Sequence, residues 1–116
     1  MQSAKILVNG QSEIDYRNAT SRAYYSAYHE AKRVGARSNG HSKKSGTHNM
    51  LIEKLKTHIG ITPIDQALKQ IGILLSMCKK QRTKADYFLN VQYSKTDAQQ
   101  TINLADKILQ LTHQFP

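Results

Sequence analysis

The sequence predicts an all-α fold, an up-and-down four-helix bundle with a short extra helix at its N-terminal end. Three observations point there. Only two prolines and six glycines interrupt 116 residues, so little in the chain breaks a helix. Apolar residues recur at three- and four-residue spacing, as in Leu68, Ile71, Leu74, Leu75 and Cys78, which lays a stripe along one helix face. Nowhere do Val, Ile and Thr alternate with polar residues for long, so no strand pattern competes. A chain of this length is expected to form one domain, residues 1–116, around one modest core.

The elements follow in order. Gln2 to Val8 is a short apolar segment that stops at Asn9-Gly10, a good helix terminator or turn. Ser12 is placed to cap a long second helix, with Glu13 and Asp15 in its first turn, where carboxylates suit the positive end of the helix dipole. That helix should run to about Val34-Gly35, with Lys32 and Arg33 complementing its negative end. One flank carries Tyr16, Ala19, Ala23 and Ala27, a small-residue ridge suited to close packing against another helix. Arg37 to Gly46, rich in Ser, Gly and Lys, reads as a mobile loop. Thr47 is expected to cap the third helix, which carries Met50, Leu51, Leu55 and His58 on its apolar side and ends before Gly60.

Thr62-Pro63-Ile64-Asp65 restarts the chain with a threonine cap, proline at the first helical position and an acid three residues after the cap. This fourth helix is expected to end between Arg82 and Tyr87. Phe88 to Lys95 reads as an irregular connection. Thr96, with Gln99 three residues on, is expected to cap the last helix through Ala98, Ile102, Ala105, Ile108, Leu109 and His113.

The formal charge of +9 is the second strong signal. From Lys32 to Lys56 seven basic residues face a single acid, Glu53, and Lys79, Lys80, Arg82 and Lys84 precede the next acid, Asp86. Such fields attract polyanions, nucleic acid first and acidic proteins second. The lone Cys78 forms no intramolecular disulfide and sits on an apolar stripe. With no apolar run behind the N-terminus, this fits a cytoplasmic chain. No stretch is long enough to span a bilayer.

Several chemistries are disfavoured. The five histidines form no pair with His, Cys or a carboxylate at helical ligand spacing, and no glycine-rich phosphate loop is present. No metal or other cofactor is expected. Two clusters remain. Arg22 and His29 are seven apart with Tyr25 between them, so at about 100° per residue the three share one stripe. Arg82 and Asp86, four apart, pair on one turn in the segment that ends at Tyr87. A histidine that moves a proton and an arginine that holds a phosphate suit RNA cleavage. The same groups also suit a polar network tying two helices together, and the residues by themselves lean that way.

The run Arg17-Asn18-Ala19-Thr20-Ser21-Arg22-Ala23-Tyr24-Tyr25-Ser26-Ala27-Tyr28-His29 resembles the first long helix of HEPN domains. Gly46-Thr47-His48 before a helix, Arg82-Thr83-Lys84-Ala85-Asp86-Tyr87 ending the next, and the closing helix with Ala98, Ala105 and Ile108 are similar to that family too. The resemblance spans nearly the whole chain. It implies a helical bundle, dimeric, that engages RNA or nucleotides within a toxin–antitoxin, phage-defence or RNA-processing module. A minimal nucleotidyltransferase is an implied partner protein. Many members are metal-independent endoribonucleases marked by a late Arg-x4-6-His motif. Here no histidine follows Arg82 at that spacing, whereas Arg22 and His29 have it on the early helix.

The expected site has His29 as proton-transfer group, Arg22 and Arg82 as phosphate holders, Tyr25 and Tyr87 orienting them, and Asp86 fixing Arg82. Lys43, Lys44, Lys79, Lys80 and Lys84 would supply attraction to the nucleic-acid backbone. The alternative is a non-catalytic module whose basic surface docks a nucleotidyltransferase or other acidic partner.

Overall fold

The computed structural model describes residues 1–116 and contains five helices and no strand. They are α1 (Gln2–Leu7), α2 (Glu13–Gly35), α3 (Thr47–Lys56), α4 (Pro63–Tyr87) and α5 (Lys95–Thr112). The long helix α2 packs on α4 and α5, which also pack on each other. The short α3 lies mainly against α4, and α1 rests on α2. No helix is long and apolar enough to cross a membrane.

Local sequence explains most of the boundaries. The Ser12 hydroxyl accepts the Asp15 N–H at 3.2 Å and starts α2. A reciprocal capping box between Thr62 and Asp65, with Pro63 in the first turn, starts α4. Along the α2 ridge Ala19, Ala23 and Ala27 expose nothing, and Ala31 extends it, while Tyr16 at its start is only partly buried. Alanine there lets neighbouring backbones approach closely while costing no side-chain entropy. From α4, Leu68, Ile71, Leu75 and Cys78 fill the centre, and from α5 Ile102, Ala105 and Ile108. Burial pushes the Cys78 thiol up to about 12, so it is an inert core residue.

Four sequence expectations are corrected. Helix α5 is capped by Ser94 with Asp97, not by Thr96 with Gln99: the Ser94 hydroxyl accepts the Asp97 N–H, and Asp97 accepts the Ser94 N–H at 2.9 Å. A carboxylate outcompetes an amide here because it carries charge into the positive end of the helix. Helix α3 has no side-chain cap. Gly46 occupies its N-cap with φ of 92°, a conformation that favours glycine, and Thr47 is already helical. On α3 the buried positions are Ile52 and Leu55, while Met50 is exposed. His58 lies beyond the helix end, buried, and its Nε2 sits 2.6 Å from Asp65 Oδ1.

The first half of the loop expected to be mobile is pinned. Ser38 Oγ donates to the Lys54 carbonyl at 2.9 Å, the Asn39 N–H donates to His58 Nδ1 at 3.1 Å, and the His41 N–H donates to Thr57 Oγ1 at 2.9 Å. Because His58 Nδ1 accepts a hydrogen bond, the ring proton is on Nε2 and points at Asp65. That bond and those from Thr62 hold the Asp65 carboxyl at about 2, with the Thr62 hydroxyl the largest cause.

A second pin was not legible in the sequence. The Arg17 guanidinium donates from Nη1 to the carbonyls of Lys84 (3.1 Å) and Ala85 (2.9 Å), and from Nη2 to those of Phe88 (3.3 Å) and Val91. It thus gives the Ala85 carbonyl in the last turn of α4 a donor and adds a second one to the Lys84 carbonyl, which also accepts the Phe88 N–H. It also fixes the turn that follows.

Candidate nucleic-acid interface

The centre of the bundle's polar side is a cluster of rings from α2 and α3 around one arginine from α4. The Arg82 guanidinium lies 5.4 Å from the Tyr25 ring, 5.3 Å from the Tyr87 ring and 6.0 Å from the Tyr24 ring. Its Nη2 donates to the Tyr25 hydroxyl at 2.8 Å, and its Nε lies 2.9 Å from Asp86 Oδ2. The Nε contact is an ion pair without hydrogen-bond alignment, since that atom is buried with no aligned acceptor. Cation–π attraction and a nearby carboxylate therefore hold this cation at a place where water barely reaches it.

His48, at the second position of α3, completes the cluster. Its ring stacks on Tyr28 at 4.0 Å, lies 5.6 Å from Tyr24, and meets Tyr25 edge-on at 6.0 Å. The Tyr24 hydroxyl and His48 Nδ1 are hydrogen-bonded at 2.5 Å. Burial pushes that hydroxyl's pKa up, so it keeps its proton. Burial first, and then the charges of Arg82, Lys79 and His29, hold the His48 imidazole below its ordinary value.

Spacing on a single helix gave no reason to select His48, because its partners are about twenty residues away on another helix. The one sequence signal was the Gly46-Thr47-His48 likeness. Gly46 supplies the turn that brings the histidine to the α2 rings.

Arg22 and His29 lie on the other side of Tyr25. The three share a polar recess of about 480 Å³ with Ser21, Ser26 and Asn18. Arg22 and His29 are exposed, and neither makes a hydrogen bond or ion pair within the chain. The predicted stripe is thus real, and Tyr25 joins it to the Arg82 cluster. Of the other candidate residues, Asp86 and Tyr87 lie against Arg82, with Tyr87 largely exposed.

The lysines divide. Lys44, Lys79 and Lys80 line one cleft between α3 and α4, joined there by Lys56. Lys84 instead faces the Tyr93 ring at 5.8 Å, and Lys43 is exposed on the loop. No group of three His, Cys, Asp or Glu side chains is arranged to hold a metal ion.

In comparison with known proteins, the HEPN domain matches residues 1–114. No curated protein and no solved structure matches the chain. A match over nearly the whole length, on a helical bundle with this arrangement, shows that the chain belongs to the HEPN domain family.

Proposed function

We propose that this HEPN domain engages RNA through the recess on α2, and that metal-independent cleavage of unpaired RNA is the activity to test there. The observation that carries this reading is the pair Arg22 and His29. Both are exposed and uncommitted, and both face one recess whose third member, Tyr25, has its hydroxyl held by Arg82. RNA carries its own nucleophile in the 2′-hydroxyl, so a site needs chiefly a group to move the proton and a cation to hold the phosphate.

In this reading His29 moves the proton and Arg22 holds the phosphate through a planar fork. Arg82 is engaged by Tyr25 and Asp86 and acts as a positioning residue for the Tyr25 hydroxyl. A toxin–antitoxin or phage-defence setting, a homodimer and a nucleotidyltransferase partner belong to the same proposal.

A second reading is favoured by the Arg82 cluster itself. Its groups satisfy one another inside the chain, as in a structural network. Then the domain is a non-catalytic module that binds RNA or an acidic partner protein. Cleavage of a labelled RNA pool in EDTA, with His29→Ala and Arg22→Ala alongside, separates the two. Cleavage lost in both variants at unchanged melting temperature supports catalysis. Intact RNA that still binds the wild-type protein supports the binding module, and the absence of both binding and cleavage refutes the proposal.

A further inference from the structure

The lysine-lined cleft between α3 and α4 has features that the recess on α2 does not explain. On α4, Ser76, Lys79, Lys80 and Thr83 recur at three- and four-residue steps and line its wall. At 1.5 Å per residue that stripe is about 10 Å long. From α3 come Asn49, Ile52 and Lys56, again on one helix face. Ile52 is buried and makes the floor. Lys44 reaches in from the loop, and the cleft, about 390 Å³, ends at Phe88.

Two facts say what this cleft is for. The first is charge. The carboxylate within ion-pair distance of any cleft lysine is Glu53, 3.7 Å from Lys44 Nζ. The other acids are engaged elsewhere: Glu13 with Arg17, Glu30 with Arg33, Asp86 with Arg82, Asp106 with Lys5, Asp65 with His58, and Asp97 in the α5 cap. Asp15 stands in the first turn of α2. Lys56, Lys79 and Lys80 therefore converge with no carboxylate of their own.

The second fact is the ring at the cleft's end. Phe115 is buried at 3% exposure, but Phe88 is 54% exposed and the preceding Tyr87 is 64% exposed. The fold fixes Phe88 there rather than burying it. Arg17 draws the carbonyls of Lys84, Ala85, Phe88 and Val91 to itself, which sets the backbone of the turn. Uncompensated lysines, two hydroxyls and a rigidly placed, exposed ring are what binding a single strand requires. Ammonium groups and hydroxyls meet the phosphates, and the ring offers a face to an unstacked base. An acidic peptide would use the lysines and leave the ring without a role.

We infer that this cleft is a subsite for an unpaired RNA strand, with phosphates on Lys56, Lys79 and Lys80 and a base stacked on Phe88. The inference rests on the reading that the domain engages RNA. It adds a second contact region beyond the recess, with His48 and Asn49 as the segment between them: His48 packs on the α2 rings while Asn49 contacts Lys79.

The test is fluorescence anisotropy of a labelled short unpaired RNA over a range of salt. The proteins are wild type, Phe88→Leu, Lys79→Gln/Lys80→Gln and Arg22→Gln, each checked by thermal melting. Phe88→Leu keeps an apolar side chain but no ring face. It should weaken binding about tenfold, the scale of one lost base–aromatic stack, with the salt slope unchanged. The double lysine variant should flatten the log–log salt slope by roughly 1.4, or about 0.7 per phosphate contact on a single strand.

Wild-type affinity from Phe88→Leu, or equal competition by oligoglutamate, overturns the subsite. If that happens while Arg22→Gln binds poorly, the recess reading survives alone. If Phe88→Leu binds poorly and Arg22→Gln binds normally, the subsite survives and the recess reading falls. No RNA binding by the wild type overturns both.

Discussion

Arg17→Met is the perturbation whose effect follows most directly from the geometry. Methionine keeps an unbranched aliphatic stem in place of a side chain that is 11% exposed, and removes the guanidinium. Two of the lost hydrogen bonds, to Lys84 and Ala85, are partly shielded from water. A hydrogen bond to a charged group is worth about 1.5–3 kcal/mol when buried, so about 1 kcal/mol each is a discounted value here. The bonds to Glu13, Phe88 and Val91 are exposed, and water replaces them at little net cost. Loss of the cation 5.4 Å from the Tyr93 ring adds about 0.5–1 kcal/mol.

The sum is roughly 3 kcal/mol, which for a chain of this size lowers the melting temperature by about 10 °C. Calorimetry or circular dichroism reads that directly. A second readout is independent of stability. The Glu13 carboxyl is held below the usual range first by Arg17 and then by the Tyr93 N–H, so NMR titration in the variant should find it raised. An unchanged melting temperature with an unchanged Glu13 titration would refute the claim that Arg17 pins the end of α4.

Other predictions concern the packing and the ring cluster. Gly72→Ala should destabilise by about 1–2 kcal/mol in urea unfolding, because its Cβ would lie 2.7 Å from Leu55 Cβ and 2.8 Å from the Lys56 nitrogen. That overpacking outweighs a helix-propensity gain of about 1 kcal/mol. Arg82→Lys should cost about 1–2 kcal/mol, since a lysine cannot reproduce the planar contact with the tyrosines and Asp86. Chemical denaturation compares it with wild type. His48 in the folded chain binds its proton less readily than in the unfolded chain. Its contribution is therefore present above the ordinary imidazole value of about 6.5 and is lost as pH falls below it. The difference in melting temperature between wild type and His48→Gln should shrink from pH 7 to pH 5.

What the sequence made legible was local. The Ser12 cap, the Thr62-Pro63-Asp65 start, the alanine ridge of α2 and the Arg22–Tyr25–His29 stripe depend on residues three to seven apart. Competition between two overlapping cap patterns misplaced the start of α5, since Ser94–Asp97 and Thr96–Gln99 both fit and the carboxylate decides. Long-range partners were hidden. Arg17 looks like an exposed helix residue paired with Glu13, yet its main acceptors lie 67–74 residues away. His48 looks like a loop-edge histidine until Gly46 turns it onto the α2 rings. Phe88 gave no periodic signal, because it lies just past the end of a helix.

The central claim, that RNA enters the recess on α2, is tested most directly by the histidine ring signals in NMR during titration with a short unpaired RNA. His29 lines the recess and His48 backs it, whereas His58 is buried beside Asp65 and His113 follows α5. The account predicts that the His29 signal shifts most, that His48 follows, and that His58 and His113 stay in place. A saturating shift at His113 with His29 unmoved would contradict it.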